Sequence, residues 1–172
     1  MANPMYGQNK ADEKLDNVIS PAVIAQSGTA AADLSYIDED TIWYAATAQA
    51  GDITLPQATA DNVGMVIKII AGANWSTTEF KLGFINTGST VMIGSMNVLT
   101  LDSTSAAVGF AVTANAKALA IDADEVTKAG GAKGSTYTFT YLAENLVHVE
   151  ALGYITTGTV GTTAAASVTS GI

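Results

Sequence analysis

Short apolar or alternating runs separated by turn residues occupy the chain from Leu34 to about Tyr154, and this is the spacing of strands rather than helices. Thr41-Ile42-Trp43-Tyr44 and Asp52-Ile53-Thr54-Leu55 flank Ala50-Gly51, and the second run stops at Pro56, whose ring has no N–H for a ladder. Gly64 to Ile70 forms the next run. In Glu79 to Ile85 the alternate residues Phe80, Leu82 and Phe84 are apolar, the period of a strand with one face buried. Thr90 to Ile93 is expected to end at Gly94, with separate strands over Asn97 to Leu101, Val108 to Val112 and Lys117 to Ile121. The clearest pair is Ser135 to Tyr141 and Leu146 to Leu152 around Ala143-Glu144-Asn145, a predicted hairpin. It places Tyr137, Phe139 and Tyr141 on one face and threonines on the other. Helix formers occur only over 58–63 and 113–120, and neither sustains a 3.6-residue stripe, so one short helical turn is the most expected.

The two ends differ from this body. Residues 1–30 combine Pro4, Gly7, Pro21 and Gly28 with mixed charges and one apolar run, Val18-Ile19-Ser20-Pro21-Ala22-Val23-Ile24, which predicts an extended arm. Its few apolar residues offset little ordering entropy, so an ordered arm must lie on the body or on a partner, and the alternative is a disordered leader. Residues 156–172 are uncharged and of low complexity, predicting a tail that is flexible or laid as an edge strand on a partner. The expected fold is all-β: a small sandwich or barrel-like body over 31–155, with an extended N-terminal arm (1–30) and a C-terminal tail (156–172). No exact internal repeat of solenoid or propeller length is visible.

Composition narrows the function. Sixteen acids face seven bases, every base is lysine, and the net charge is −9, which argues against nucleic-acid binding. Without arginine there is no bidentate clamp for phosphate or carboxylate substrates. The absence of cysteine removes thiolate metal sites, disulfides and cysteine nucleophiles. No run approaches the roughly 18 apolar residues of a membrane span, and the polar N-terminus predicts no cleaved secretory signal. With charged residues at only 13% against about 25% in an ordinary domain, the surface must be largely neutral and rich in small residues.

Candidate chemistry is sparse. His148 is the single histidine and alternates with Val147 and Val149, which suits an ordinary strand residue better than a triad or a metal ligand. Asp38-Glu39-Asp40 and Asp122-Ala123-Asp124-Glu125 lack the glycine and closing glutamate of a calcium loop and are expected to be solvated turns. Gly130-Gly131-Ala132-Lys133-Gly134-Ser135-Thr136 departs from the phosphate-loop pattern on both sides of its lysine and reads as a flexible strand connection. Asn74-Trp75-Ser76 is a formal glycosylation sequon, and with no secretory signal expected it is not expected to be used. No catalytic residue, cofactor or metal is assigned, and the chain is not expected to be an enzyme. A soluble hydrolase would require a convergent pair of buried carboxylates.

Specific residues also carry a likeness. Gly51-Asp52-Ile53-Thr54-Leu55-Pro56, then Gly64-Met65-Val66-Ile67-Lys68-Ile69, resembles a pattern of tailed-bacteriophage virion proteins, "G-x-x-T-L-P-x-A" followed by "G-x-x-x-x-I". Val91 to Leu99 resembles their next apolar run, and Asn145 to Val149 their closing "G-x-N-W-x-V" strand, with Leu146 and His148 replacing parts of that ending. Asn3 to Lys10 is similar to the leader of small structural proteins from phages of marine bacteria. The resemblance implies a capsid decoration or cement protein, usually a homotrimer, on the outer surface of the virion head, binding the major capsid protein without nucleic acid or membrane. An arm lacking its own core should anchor by its apolar side chains, so the expected binding residues are Pro4, Tyr6, Val18, Ile19, Val23 and Ile24. Deletion of residues 1–25 is expected to abolish attachment and leave the body folded. The alternative is a head-fibre or tail-fibre module that recognises host glycans or receptors, with an exposed Trp43 or Trp75 as its stacking platform.

Overall fold

A computed structural model of the chain describes residues 21–26, 30–76, 78–100, 107–124, 128–156 and 167–172. Twelve strands are formed: β1 (Ala22–Gln26), β2 (Ala32–Asp33), β3 (Thr41–Ala45), β4 (Ile53–Thr54), β5 (Val66–Ala71), β6 (Phe80–Gly83), β7 (Val91–Thr100), β8 (Val108–Ala111), β9 (Ala118–Ile121), β10 (Thr136–Ala143), β11 (Leu146–Ile155) and β12 (Ser167–Val168). One 3₁₀ turn, Ala60–Asn62, is the helical content among the described residues, inside the 58–63 window marked by its helix formers. The strands make a seven-stranded sheet, β1-β3-β5-β10-β11-β7-β8, and a five-stranded sheet, β12-β9-β6-β4-β2. The protein is an all-β, sandwich-like body.

Successive strands alternate between the two sheets from β1 to β7. As a result β1, β3 and β5 stack in parallel on one side, and β2, β4 and β6 stack in parallel on the other. This first half winds like a coil flattened between two sheets. Ala22 lies beside Thr41 and Thr41 beside Ile67, steps of unequal length, which is why no sequence repeat announces the winding. The β10–β11 hairpin then inserts antiparallel against β5 and parallel to β7. Its two-residue turn, Glu144-Asn145, holds Asn145 at φ 62, a left-handed conformation that asparagine tolerates.

The alternating pattern sorts side chains as expected. Trp43, Ile67, Ile69, Tyr137, Phe139, Tyr141, Val147 and Val149 point inward from the larger sheet. They meet Ile53, Leu55, Phe80, Leu82, Phe84, Leu119 and Ile121 from the smaller one. Trp75 stacks on Tyr137 with ring centroids 5.7 Å apart and tilts against Phe80 at 5.6 Å. Thr136, Thr138 and Thr140 stay on the outer face of β10.

Four expectations need correction. The run at Val91 does not end at Gly94: β7 continues through it to Thr100, because the glycine takes φ +136 and has no side chain to collide with β11. Residues 22–26, assigned to the arm, form an edge strand of the larger sheet. The end of the tail, 167–172, lies on the body itself: β12 pairs with β9, and Ile172 exchanges backbone hydrogen bonds with Phe84 and Asn86 at 2.9 and 2.8 Å. The Gly130 to Thr136 connection is not loose. Gly131 and Ala132 both donate to the Tyr154 carbonyl at 2.9 Å, the Ser135 hydroxyl accepts from Tyr154 N–H at 2.8 Å, and residues 129–132 are buried.

Burial also fixes a pH response. Tyr141 is closed off in the core with its hydroxyl donating to the Pro56 carbonyl at 2.9 Å. Burial pushes the phenols of Tyr137 and Tyr141 well above their ordinary value of 10.0, outweighing the opposing Ser135 hydrogen bond at Tyr137. Above pH 10 the unfolded chain releases these protons while the folded chain keeps them, so stability falls as pH rises through about 10. Calorimetric melts from pH 8 to 11.5 should show this decline, and Tyr137→Phe with Tyr141→Phe should flatten it. An equally steep decline in the double variant would place its origin elsewhere.

Candidate functional site

Among the described residues no three histidine, aspartate or glutamate side chains come together to hold a metal. His148 lies half-buried on the outer face of β11, opposite in orientation to Val147 and Val149. The acid runs have local duties. Asp40 Oδ1 accepts the Val66 N–H at 2.8 Å at the start of β5, and its carbonyl accepts from Ala22 at 3.0 Å. Asp122 Oδ1 accepts the Asp124 N–H at 3.1 Å; Glu125 lies outside the described residues. Trp43 and Trp75 are both buried, at 0% and 3% exposure, so neither offers the stacking surface that a glycan-reading fibre would take from them.

The most distinctive chemistry is in the backbone. β1 ends the larger sheet, and its parallel ladder to β3 determines which groups are used. Ala22 donates to Asp40, and Gln26 accepts from Ala46 at 3.1 Å, so residues 22, 24 and 26 direct their N–H and C=O groups toward β3. Val23 and Ala25 therefore direct theirs away from the sheet, and no described strand lies on that side. The strand is uncharged, unbulged and proline-free between Ala22 and Gln26, without the devices by which edge strands are usually blunted.

Of the other edges, β12 is only two residues long, and β2 and β8 are better guarded or poorer in contacts. β2, which closes the smaller sheet at the same end of the winding, carries the exposed Asp33, whose carboxylate accepts the Ser35 N–H at 2.9 Å. The Ser35 hydroxyl, with that backbone hydrogen bond, holds the Asp33 carboxyl below its ordinary value, keeping a charge at this edge. β8, on the far side of the larger sheet, directs Gly109 and Ala111 outward, and a glycine gives a partner little to pack on.

Side chains extend the β1 edge into a surface. Val23 is 69% exposed and stands beside Ile42, and Ala25 stands beside Tyr44, itself 38% exposed, so an apolar margin borders the open backbone. Ile24 points the other way and packs against the core. Of the six residues expected to bind, Val23 and Ile24 share β1, and only Val23 presents its side chain to solvent. Pro4, Tyr6, Val18 and Ile19 lie outside the described residues. Ala25 and Tyr44 were missed by sequence reasoning, although the parity of Tyr44 against buried Trp43 marks it as outward. No family model, no curated protein and no solved structure matches this chain.

Proposed function

We propose that this chain is a structural virion protein, a capsid decoration protein on the outer surface of a phage head that binds and stabilises the lattice of the major capsid protein as a homotrimer. The observation that carries the proposal is the open, uncharged β1 edge with its apolar margin, at the point where residues 1–20 join the body. Adding a strand to this edge forms main-chain hydrogen bonds that demand no particular side chain, a mode suited to repeated attachment on a lattice. The low share of charged residues and the resemblance of the Gly51 to Pro56 and Gly64 to Ile69 segments to virion-protein patterns support the same reading.

The test is attachment to capsids assembled from the major capsid protein, with bound copies counted by quantitative gel analysis. The cut must fall before Pro21 rather than after residue 25, because β1 completes the sheet and Ile24 packs on the core. The 21–172 fragment keeps the β1 edge, so it should remain folded and lose only the share of attachment that residues 1–20 contribute. In the full chain, Val23→Lys should weaken attachment by roughly tenfold or more, since a lysine on an edge strand opposes further pairing. Undiminished binding by both proteins would defeat the proposal.

A further inference from the structure

Away from β1, the outer face of the larger sheet has a second feature that strand attachment does not use. An open concavity of about 460 Å³ lies over β10, β11 and β7, lined by Ser95, Asn97, Thr136, Thr138, Glu150 and Leu152. The register aligns these side chains in two rows, Thr136 with Leu152 and Asn97, and Thr138 with Glu150 and Ser95. Rows repeat at about 4.8 Å across the strands and at nearly 7 Å along them. The hollow lies where the short side chains of Thr136, Thr138 and Ser95 border the longer Glu150 and Leu152. Gly109 on β8 leaves its rim low, and Asn97 Oδ1 would come within 3.2 Å of any Cβ placed there.

We infer that this concavity is a binding site for a neutral, polyhydroxylated ligand, a hexose-based oligosaccharide. Three features select that class. First, the polar side chains Ser95, Asn97, Thr136, Thr138 and Glu150 make no hydrogen bond to other described residues, so their donors and acceptors remain open to a ligand in the hollow they line. Hydroxyl, amide and carboxylate groups together match the mixed donors and acceptors of sugar hydroxyls. Second, Leu152 is 38% exposed in the middle of one row and offers an aliphatic surface to the C–H face of a pyranose ring. Third, the competing classes are disfavoured. Lys68 stands beside Thr138 at the margin but does not line the hollow, whereas Glu150 lies within it, and in a chain of net charge −9 this carboxylate disfavours phosphorylated or acidic ligands. β10, β11 and β7 are each paired on both sides, so no backbone is left for an extended peptide to pair with.

The assignment does not depend on the virion reading, and its test needs no capsid. The full-length protein is applied to an array of neutral, N-acetylated and uronic-acid oligosaccharides, and the best neutral binder is titrated by NMR. Neutral oligosaccharides should be retained and should shift the amides of β7, β10 and β11. Thr138→Val keeps the side-chain shape without the hydroxyl, and Asn97→Ala removes an exposed amide, so the double variant should melt as the parent does. It should bind roughly tenfold or more weakly, as the loss of two ligand hydrogen bonds requires. Retention of no neutral sugar, a preference for uronic acids, or undiminished binding by the folded double variant would each overturn the assignment.

Discussion

Gly94→Ala is expected to lower the stability of the fold by about 3–5 kcal/mol, placing it among the most damaging single substitutions in the chain. Gly94 sits within β7 at φ +136, and a Cβ built on it would lie 2.0 Å from the Val149 carbonyl oxygen of β11. That contact is with backbone of a strand paired on both sides, so it cannot be relieved by turning a side chain. For a chain of this size the cost corresponds to a fall in melting temperature of roughly 10 °C. Gly64→Ala separates the two causes. Gly64 is also left-handed, at φ +95, but a Cβ there meets nothing within 4 Å, so only conformational strain of about 1–2 kcal/mol remains. Calorimetric melts of the two variants should therefore differ several-fold in their effect. Equal losses would show that the approach of β7 to β11 at Gly94 has more slack than its geometry implies.

The same glycine shows where a sequence stops being readable. Strand parity is a local property, so Phe80, Leu82 and Phe84 were legible as inward, as were Tyr137, Phe139 and Tyr141. A glycine after an apolar run looks like a strand end until the neighbouring strand is known, and β11 lies some fifty residues downstream of Gly94. The winding of β1 to β6 was hidden for a related reason: its turns share a direction but neither length nor sequence. The Gly51 to Pro56 segment is largely structural. Asp52 Oδ1 accepts the Lys81 N–H at 2.7 Å, the Pro56 carbonyl accepts the Tyr141 hydroxyl, and a Cβ on Gly51 would lie 2.5 Å from the Ala31 nitrogen. These residues tie the two sheets and the β2 approach together.

Less of the candidate site was legible. The apolar stretch containing Val23 and Ile24 stood out in the sequence, but whether a strand lies inside a sheet or at its edge depends on strand order, which no local pattern encodes. The saccharide hollow was even less visible. Its residues come from three strands, and each alone resembles an ordinary solvated threonine, serine or asparagine.

Removal of the last six residues, 167–172, is the second change with a large expected effect. The tail end is bound to the body by Lys117 N–H donating to the Val168 carbonyl, Thr113 N–H to Ser167 Oγ, Lys81 Nζ to the Gly171 carbonyl, Gly171 N–H to Asn86 Oδ1, and the two Ile172 backbone bonds. At about 0.5–1.5 kcal/mol net for each bond, the loss is roughly 3–6 kcal/mol after partial re-solvation of the freed groups. The truncation would also open β9, an uncharged strand of four buried residues, as a new sheet edge. The shortened protein should melt at least about 10 °C lower and associate on standing, as followed by calorimetry and light scattering. Gly171→Val is a milder version of the same change, because a Cβ there would lie 2.4 Å from the Phe84 carbonyl oxygen. A truncated chain that melts with the parent and stays monodisperse would mean that β12 contributes nothing to the body.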